Sequence, residues 1–422
     1  MTTMTSRDNC CSCCHQAGFW TLYTSSAGFL LGAVALVAPT GYSIGPALLL
    51  LGSLALLYRR PLLGLSRRDV VLIATLLGYG LLMMLFALVD GLGIGGLDKP
   101  LRFLFAVPVL LMVMANPPRM TWLWAGFGLG AIGAGGLATW QALIEGMGRA
   151  NGLTQTIQFG NLAMLMGVLC LAGLGWAVMQ RYRAGWVALL LLGALCGILA
   201  SVLSGSRGGW VGVPLLLLVL YRAYGREFSI AGSISALVAM VLLVGIVWFT
   251  PQTGVQARVG GAVSEFGHYL EGENLGSSVG VRFEMWRGAG MLFLQKPLLG
   301  WGDDQYHVGM QELANEGRIH VRAARYGHAH SEFFDHLAKH GLVGLAALLG
   351  LYLVPIALFA PGLASDSMPL RALAAAGTLV PVGYIDFSLT QGFLSHNSGV
   401  MVYAFWVAVL WGCYQAYSRQ AS

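Results

Sequence analysis

Apolar stretches of membrane-crossing length recur along most of this chain, and they decide what it can fold into. A helix needs roughly 17–25 residues to cross about 30 Å of hydrocarbon. Lipid offers the backbone no hydrogen-bond partner, so each crossing must be helical rather than an open strand. Composition agrees: 57% of the 422 residues are hydrophobic and 10% charged, with mean hydropathy +0.70. Soluble domains carry about 25% charged residues. Twelve tryptophans and fifteen tyrosines, many near segment ends, suit an interfacial aromatic belt. The pattern predicts an all-α membrane protein.

Twelve spans are expected, at 18–38, 42–58, 70–89, 103–116, 122–145, 160–180, 186–204, 208–223, 230–250, 342–360, 372–388 and 398–417. They divide the chain into a tail (1–17), nine spans within 18–250, a long polar loop (251–341), three spans within 342–417 and a short tail (418–422). An even count puts both termini on one side. Twelve basic residues fall there: Arg7, Arg59, Arg60, Arg67, Arg68, Arg119, Arg181, Arg183, Arg222, Arg226, Arg371 and Arg419. The opposite short loops hold four: Lys99, Arg102, Arg149 and Arg207. The excess of Lys and Arg in cytoplasmic loops makes the termini cytoplasmic and turns the 251–341 loop outward. That placement accounts for the net charge of +6 and pI near 9.0 with membrane lipids and no nucleic acid as partner. No internal repeat suggests an inverted-repeat transporter.

Cysteine says little. Cys170, Cys196 and Cys413 lie in apolar segments, as packing residues do. Cys10, Cys11, Cys13 and Cys14, beside His15, form two overlapping C-x-x-C pairs open to zinc or acylation. A closed zinc site needs four ligands held tetrahedrally, and the plainer reading is a reduced, unstructured tail. The first residues do not resemble a cleaved signal peptide.

The outer loop is the polar exception, holding seven of the nine histidines and eight of the 24 Lys and Arg. Ser278–Phe293 is expected to be an amphipathic helix with Phe283, Trp286, Ala289, Gly290 and Phe293 on one face. Pro297–Gly302 then makes a turn. Ser331–His340 is expected to form a second helix, with Ser331 as N-cap and Gly341 as C′ residue. Phe333, Phe334, Leu337 and Ala338 would bury against the membrane domain.

Within this frame a few residues carry chemistry. His330 stands at a helix N-terminus, where partial positive charge favours neutral imidazole, the form that takes a proton from a hydroxyl. Asp335 or Glu332 could orient its ring; the alternative is a surface histidine. His336 and His340 share a helix face at the spacing of helical zinc sites, but no H-E-x-x-H is present, and no catalytic metal is expected. Arg207, after Ser206, stands at an outer span end. It would bind phosphate bidentately or snorkel to lipid headgroups. Arg282, with Arg287 beyond it, would face an anion or pair with Glu284 or Glu265. Asp386 lies near the outer end of a span, where a carboxylate is either functional or merely hydrated. Gln391, His396 and Asn397 add polar groups on that side. Arg207, Arg282, His330 and Asp386 all map to the outer boundary, which suits an anionic lipid-linked donor, a hydroxyl acceptor and transfer without a cytosolic nucleotide.

Ser206-Arg207-Gly208, Ser278-x3-Arg282-x3-Trp286-x2-Ala289, Pro297-x2-Gly300-x-Gly302 and His330-Ser331-x9-Gly341-x2-Gly344 together resemble the O-antigen ligase and polymerase superfamily of membrane glycosyltransferases. The resemblance is strongest over residues 200–345. It implies a GT-C-like helical fold at the bacterial inner membrane, with the active site on the periplasmic face. The implied reaction moves O-antigen polysaccharide from undecaprenyl diphosphate to a sugar hydroxyl of lipid A core. His330 falls on the family's general base, and Arg207 and Arg282 on the arginines that hold the donor diphosphate. The implied reaction is inverting and needs neither metal nor cofactor. Asp386, His328 and the cysteines receive no role from it; Ser206, Arg287, Ser331 and Asp335 are supporting candidates.

Three other activities compete. A polymerase would add repeat units to a second lipid-linked glycan. A protein O-oligosaccharyltransferase usually carries a further soluble region after its last span, whereas this sequence stops within a few residues of span twelve. A flippase or other transporter would distribute polar residues through the spans, whereas here charge gathers at the outer mouth.

Overall fold

The computed structural model describes residues 7–59, 61, 63–227 and 254–421, with isolated positions between 229 and 250; of residues 7–17, 59, 207 and 421 it describes the backbone alone. The expected span 230–250 and the side chains of the Cys10–Cys14 cluster therefore lie outside the described residues. Among the described residues every regular element is helical. The longer helices are α1 (Arg7–Ala33), α2 (Ile44–Ser53), α3 (Ala55–Arg59), α4 (Arg67–Val89), α5 (Gly93–Ala115), α6 (Met120–Leu143), α7 (Thr156–Ala177), α8 (Arg183–Ser204) and α9 (Val213–Tyr224). Across the polar loop come α10 (Val255–Leu270), α11 (Ser278–Gln295) and α12 (Asp303–Asn315), and then α13 (Glu332–Phe359), α14 (Met368–Thr390) and α15 (Asn397–Ala421).

Eight helical stretches among the described residues are long and apolar enough to cross a membrane: Gly41–Tyr58, Arg67–Val89, Thr156–Ala177, Arg183–Ser204, Gly208–Glu227, Glu332–Ala364, Met368–Thr390 and Asn397–Gln420. The chain is a multi-pass membrane protein. α5 and α6 are as long but more polar or glycine-rich. α5 carries Asp98, Lys99 and Arg102, and begins ten residues before the expected span at 103 because its helix runs through Pro100.

Close approach of small residues joins the bundle. α6 packs between α1 and α8, and a methyl group on Gly130 would collide with the Gly32 carbonyl of α1. Without a hydrophobic drive between helices in lipid, such backbone contact is what allows tight packing. α14 and α15 lie in the centre, where Tyr384, Tyr403, Trp406 and Trp411 are fully buried.

The two ends of the bundle differ. Near the start of α14, Arg371 pairs with Glu227 at 2.6 Å. Asp69 at the start of α4 is fully buried and accepts from Trp411 Nε1 at 2.9 Å and Arg419 Nη2 at 3.2 Å. At 1.5 Å per residue, the Thr390 end of α14 lies about 30 Å from Arg371. Arg371 and Arg419, assigned to one membrane side from sequence, are thus a bilayer thickness from the end that carries Asp386 and Gln391.

The polar loop folds into a layer with its own core. Val281, Met285, Ala289 and Leu292 of α11 pack with Tyr306, Met310 and Leu313 of α12 and Ala338 of α13. The buried face of α11 is therefore centred on 281, 285, 288, 289 and 292, not on the expected 283, 286, 290 and 293. Phe283 instead stacks on Tyr269 of α10, and Trp286 on Phe334. α12 was not anticipated from the sequence.

α13 is two helical segments. Gly341 interrupts it at φ 62°, ψ −157°, a backbone conformation that favours glycine, so the expected end of a short helix at that residue is real. The Pro297–Gly302 turn docks there: Trp301 N donates to Ala338 O at 2.9 Å, and Leu342 N to Pro297 O at 2.8 Å. Of the four expected apolar side chains the first segment fully buries only Ala338, and it buries polar ones beside it. Glu332, Asp335, His336 and Lys339 are all buried, while Phe333, Phe334 and Leu337 are only partly so.

Candidate functional site

His330 has a positive φ of 49°, a conformation that costs a non-glycine residue energy and persists only where its surroundings enforce it. Three contacts do so. Trp286 Nε1 donates to Ala329 O at 2.9 Å, and Ala329 N donates to the Asp335 carboxylate at 2.7 Å. Ser331 Oγ donates to Ser388 O at 3.1 Å. Ser331 does occupy the N-cap position of α13, but its hydroxyl makes no capping bond; it ties the segment to α14 instead.

The ring of His330 is half-buried. Its Nδ1 lies 2.8 Å from Gln391 Oε1. An amide oxygen only accepts, so Nδ1 holds the proton and Nε2 keeps a lone pair. Asp335 and Glu332, expected to orient this ring, are committed elsewhere: Asp335 to Ala329 N, and Glu332 to Leu394 N at 2.8 Å. Gln391, just past the last residue of α14, takes that place. The sequence signal for it was only its position beside other polar groups at a span end.

Burial pushes the His330 ring down to about 4, and the neighbouring His328 and Arg282 charges act in the same direction against the Gln391 hydrogen bond and Asp335. Neutral imidazole was expected from the helix N-terminus; burial is the larger cause. His328 packs edge-on at 4.2 Å between ring centroids, with Tyr326 at 5.7 Å. The His328 ring is itself held below the usual range, again by burial first.

The Arg282 charge acts on the His330 ring, lowering its pKa. Both carboxylates weighed as partners of Arg282 also accept hydrogen bonds from other groups. Glu265 accepts from Val279 N at 2.9 Å. Glu284 accepts from His320 N at 2.7 Å and Tyr269 OH at 3.1 Å, with Arg287 at 3.6 Å. Arg287 is half-exposed and belongs to that cluster rather than to the histidine.

The Arg207 side chain lies outside the described residues, but its backbone opens a short 3-10 turn, Arg207–Trp210. Ser206 Oγ anchors the turn by donating to Asn161 Oδ1 of α7 at 2.8 Å. Gly208 abuts Thr390, the residue before Gln391, and Gly212 abuts Asp386. The Arg207 backbone therefore meets the same end of α14 that carries the partner of His330. Asp386 is 1% exposed, and its carboxyl oxygens make no hydrogen bond of ordinary geometry. It is not the hydrated interfacial group the sequence allowed.

His336 is buried rather than solvated. His336 Nδ1 bonds Glu332 O at 2.9 Å and Nε2 meets Tyr79 OH at 3.2 Å, so both ring nitrogens are in use. Among the described residues, two groups could hold a metal ion: Asp90, Asp303 and His340, and the exposed His268, Glu271 and Glu273. Neither includes His330. In the first, Asp303 already pairs with Lys339 at 2.7 Å, and Asp90 accepts from Asp303 N at 3.0 Å.

Comparison with known proteins bears on this site. Along 376 residues the chain is 29% identical to an uncharacterized protein of Haemophilus influenzae, covering 87% of this chain and 92% of that one. Residues 192–349 match the family model described as O-antigen ligase. That region, which holds Arg207, Arg282 and His330, is thus similar to the O-antigen ligase family.

Proposed function

We propose that this protein is a metal-independent, inverting glycosyltransferase with twelve spans and a GT-C-like helical fold. It would move O-antigen polysaccharide from undecaprenyl diphosphate to a sugar hydroxyl of lipid A core, at the periplasmic face of the bacterial inner membrane. His330 Nε2 takes the acceptor hydroxyl proton as the oxygen bonds to the anomeric carbon. The carbon–phosphate oxygen bond breaks, and its electron pair leaves with undecaprenyl diphosphate. Arg207 and Arg282 hold the diphosphate and stabilise the charge it gains. A single displacement inverts the anomeric centre.

The observation that carries this reading is the pairing of His330 Nδ1 with an amide oxygen while the Arg282 charge acts on the same ring. A ring whose Nε2 keeps a lone pair and the Arg282 charge that acts on it both fall within the family-matched region, which supports the reading. The test offers purified protein an undecaprenyl diphosphate-linked glycan with lipid A core, a second lipid-linked glycan and a protein as competing acceptors. Glycan on lipid A core is expected. Glycan on either other acceptor alone contradicts the ligase assignment.

A further inference from the structure

We propose that Gln391 is a positioning residue that fixes which nitrogen of His330 carries the ring proton, and that His396 at its far end controls it. The proposal rests on the reading of His330 as the base. Gln391 is 3% exposed. Its Oε1 accepts from His330 Nδ1 at 2.8 Å, and its Nε2 lies 3.0 Å from His396 Nε2. An amide nitrogen only donates, so His396 Nε2 must be bare for this arrangement to hold. Histidine, amide and histidine form one chain in which each proton position dictates the next.

The opposite arrangement has a different chemistry. If His396 gains a proton, its Nε2–H needs an acceptor, and the Gln391 amide turns over to present Oε1. Its NH2 then donates to His330 Nδ1, which moves the remaining ring proton to Nε2. That is the nitrogen the acceptor hydroxyl needs bare. In Ser–His–Asp enzymes an orienting group that selects the wrong tautomer costs about 10⁴-fold in kcat.

The surroundings keep the amide between these two partners. Glu332 holds the turn after α14 through Leu394 N, and Ser395 Oγ closes it on Gly392 O at 2.5 Å. The charges around the chain are Lys99 of α5, Arg102 of α5 paired with Asp98 and bonded to Asn397 O, Arg282 of α11, Asp335 and Glu332 of α13, and His328. Burial, then Lys99 and His330, hold the His396 ring below its usual value. At neutral pH the chain is therefore in its active arrangement, and protonation of His396 in acid reverses it.

The test is nitrogen NMR of full-length, ¹⁵N-histidine-labelled protein in lipid nanodiscs, with His330 assigned from the His330→Gln spectrum, alongside transfer rates. At mildly alkaline pH the wild type should hold its proton on Nδ1. Gln391→Leu should gain the Nε2–H form and lose up to about 10⁴-fold in kcat with little change in KM. Gln391→Glu, which can only accept, should restore the Nδ1–H form. In the wild type, the proton should move to Nε2 as His396 titrates. An identical His330 tautomer in wild type and Gln391→Leu, or one indifferent to His396 titration, overturns the proposal. If the tautomer follows Gln391 but the wild type transfers no glycan, glycosyl transfer fails and the relay stands. If the wild type transfers glycan with a tautomer indifferent to Gln391, the relay alone fails.

Discussion

The Glu332 carboxylate accepts the Leu394 backbone N–H at 2.8 Å, locking the first turn of α13 to the turn between α14 and α15. The segment that presents His330 and the segment that presents Gln391 are therefore held as one unit. Replacing Glu332 by Ala orphans a buried N–H, a loss of about 1–3 kcal/mol. Thermal unfolding should show this loss together with a fall in transfer rate. Glu332→Gln keeps an acceptor at that position and should retain most of both.

On the proposed reading Arg282 acts on His330 through charge and on the donor through geometry, and two substitutions separate these roles. Arg282→Ala removes a cation that lowers the His330 pKa, so the ring should titrate above its present value of about 4. A group that must be neutral to work then loses activity at a higher pH, and the acid limb of kcat/KM should move upward. Arg282→Lys keeps the charge and the limb but not the planar fork. Its donor KM should rise roughly 10–100-fold, the worth of a charge-assisted hydrogen bond. Arg207→Lys should show the same donor defect. pH–rate profiles of the three purified variants check this.

Asp69 ties the opposite end of the bundle, fully buried between Ser66, Trp411 and Arg419. Removing Asp69 orphans the buried Trp411 Nε1–H, a loss of about 1–3 kcal/mol, while the partly exposed Arg419 keeps its bonds to backbone carbonyls. Asp69→Ala should therefore lower the unfolding temperature. About 30 Å of helix separates this end from His330, so the surviving folded fraction should keep its pH profile. A changed profile with unchanged stability would contradict the account.

Two glycines on α6 should respond oppositely to the same change. Gly130→Ala puts a methyl group into the Gly32 carbonyl, and overpacking of this kind costs about 1–3 kcal/mol. The Cβ of Gly136→Ala meets open space, and a helical Gly→Ala there should gain about 0.5–1 kcal/mol. Comparing their unfolding midpoints in one detergent reads both.

Much of this arrangement could be read from the chain alone, for physical reasons. Helix type follows from length and apolarity, and the break within α13 follows from a local signal, Gly341. Arg282 and His330 were both expected in the polar loop that precedes the return into the membrane, and the Arg282 charge acts on the His330 ring. Local pattern could not foresee that Gln391, sixty-one residues beyond His330, would displace Asp335 and Glu332 as the ring's partner. Partner choice is a tertiary outcome, and an uncharged amide gives no sequence signal of its own. The buried face of α11 was misplaced for a related reason: Phe283 and Trp286 pack sideways on Tyr269 and Phe334, leaving smaller residues to fill the core. The burial of His336, with both ring nitrogens in use, was not legible either, because nothing in the chain marks a polar side chain that will find its partners inside.

The central claim is that His330 is the base of a glycosyl transfer. The most direct measurement is single-turnover transfer of glycan from undecaprenyl diphosphate to lipid A core by purified wild type and His330→Ala, with equal insertion verified for both. A general base contributes about 10²–10⁴-fold, so the variant should be slower by that factor while binding donor as before. Near-normal transfer by a well-inserted His330→Ala protein would contradict the account.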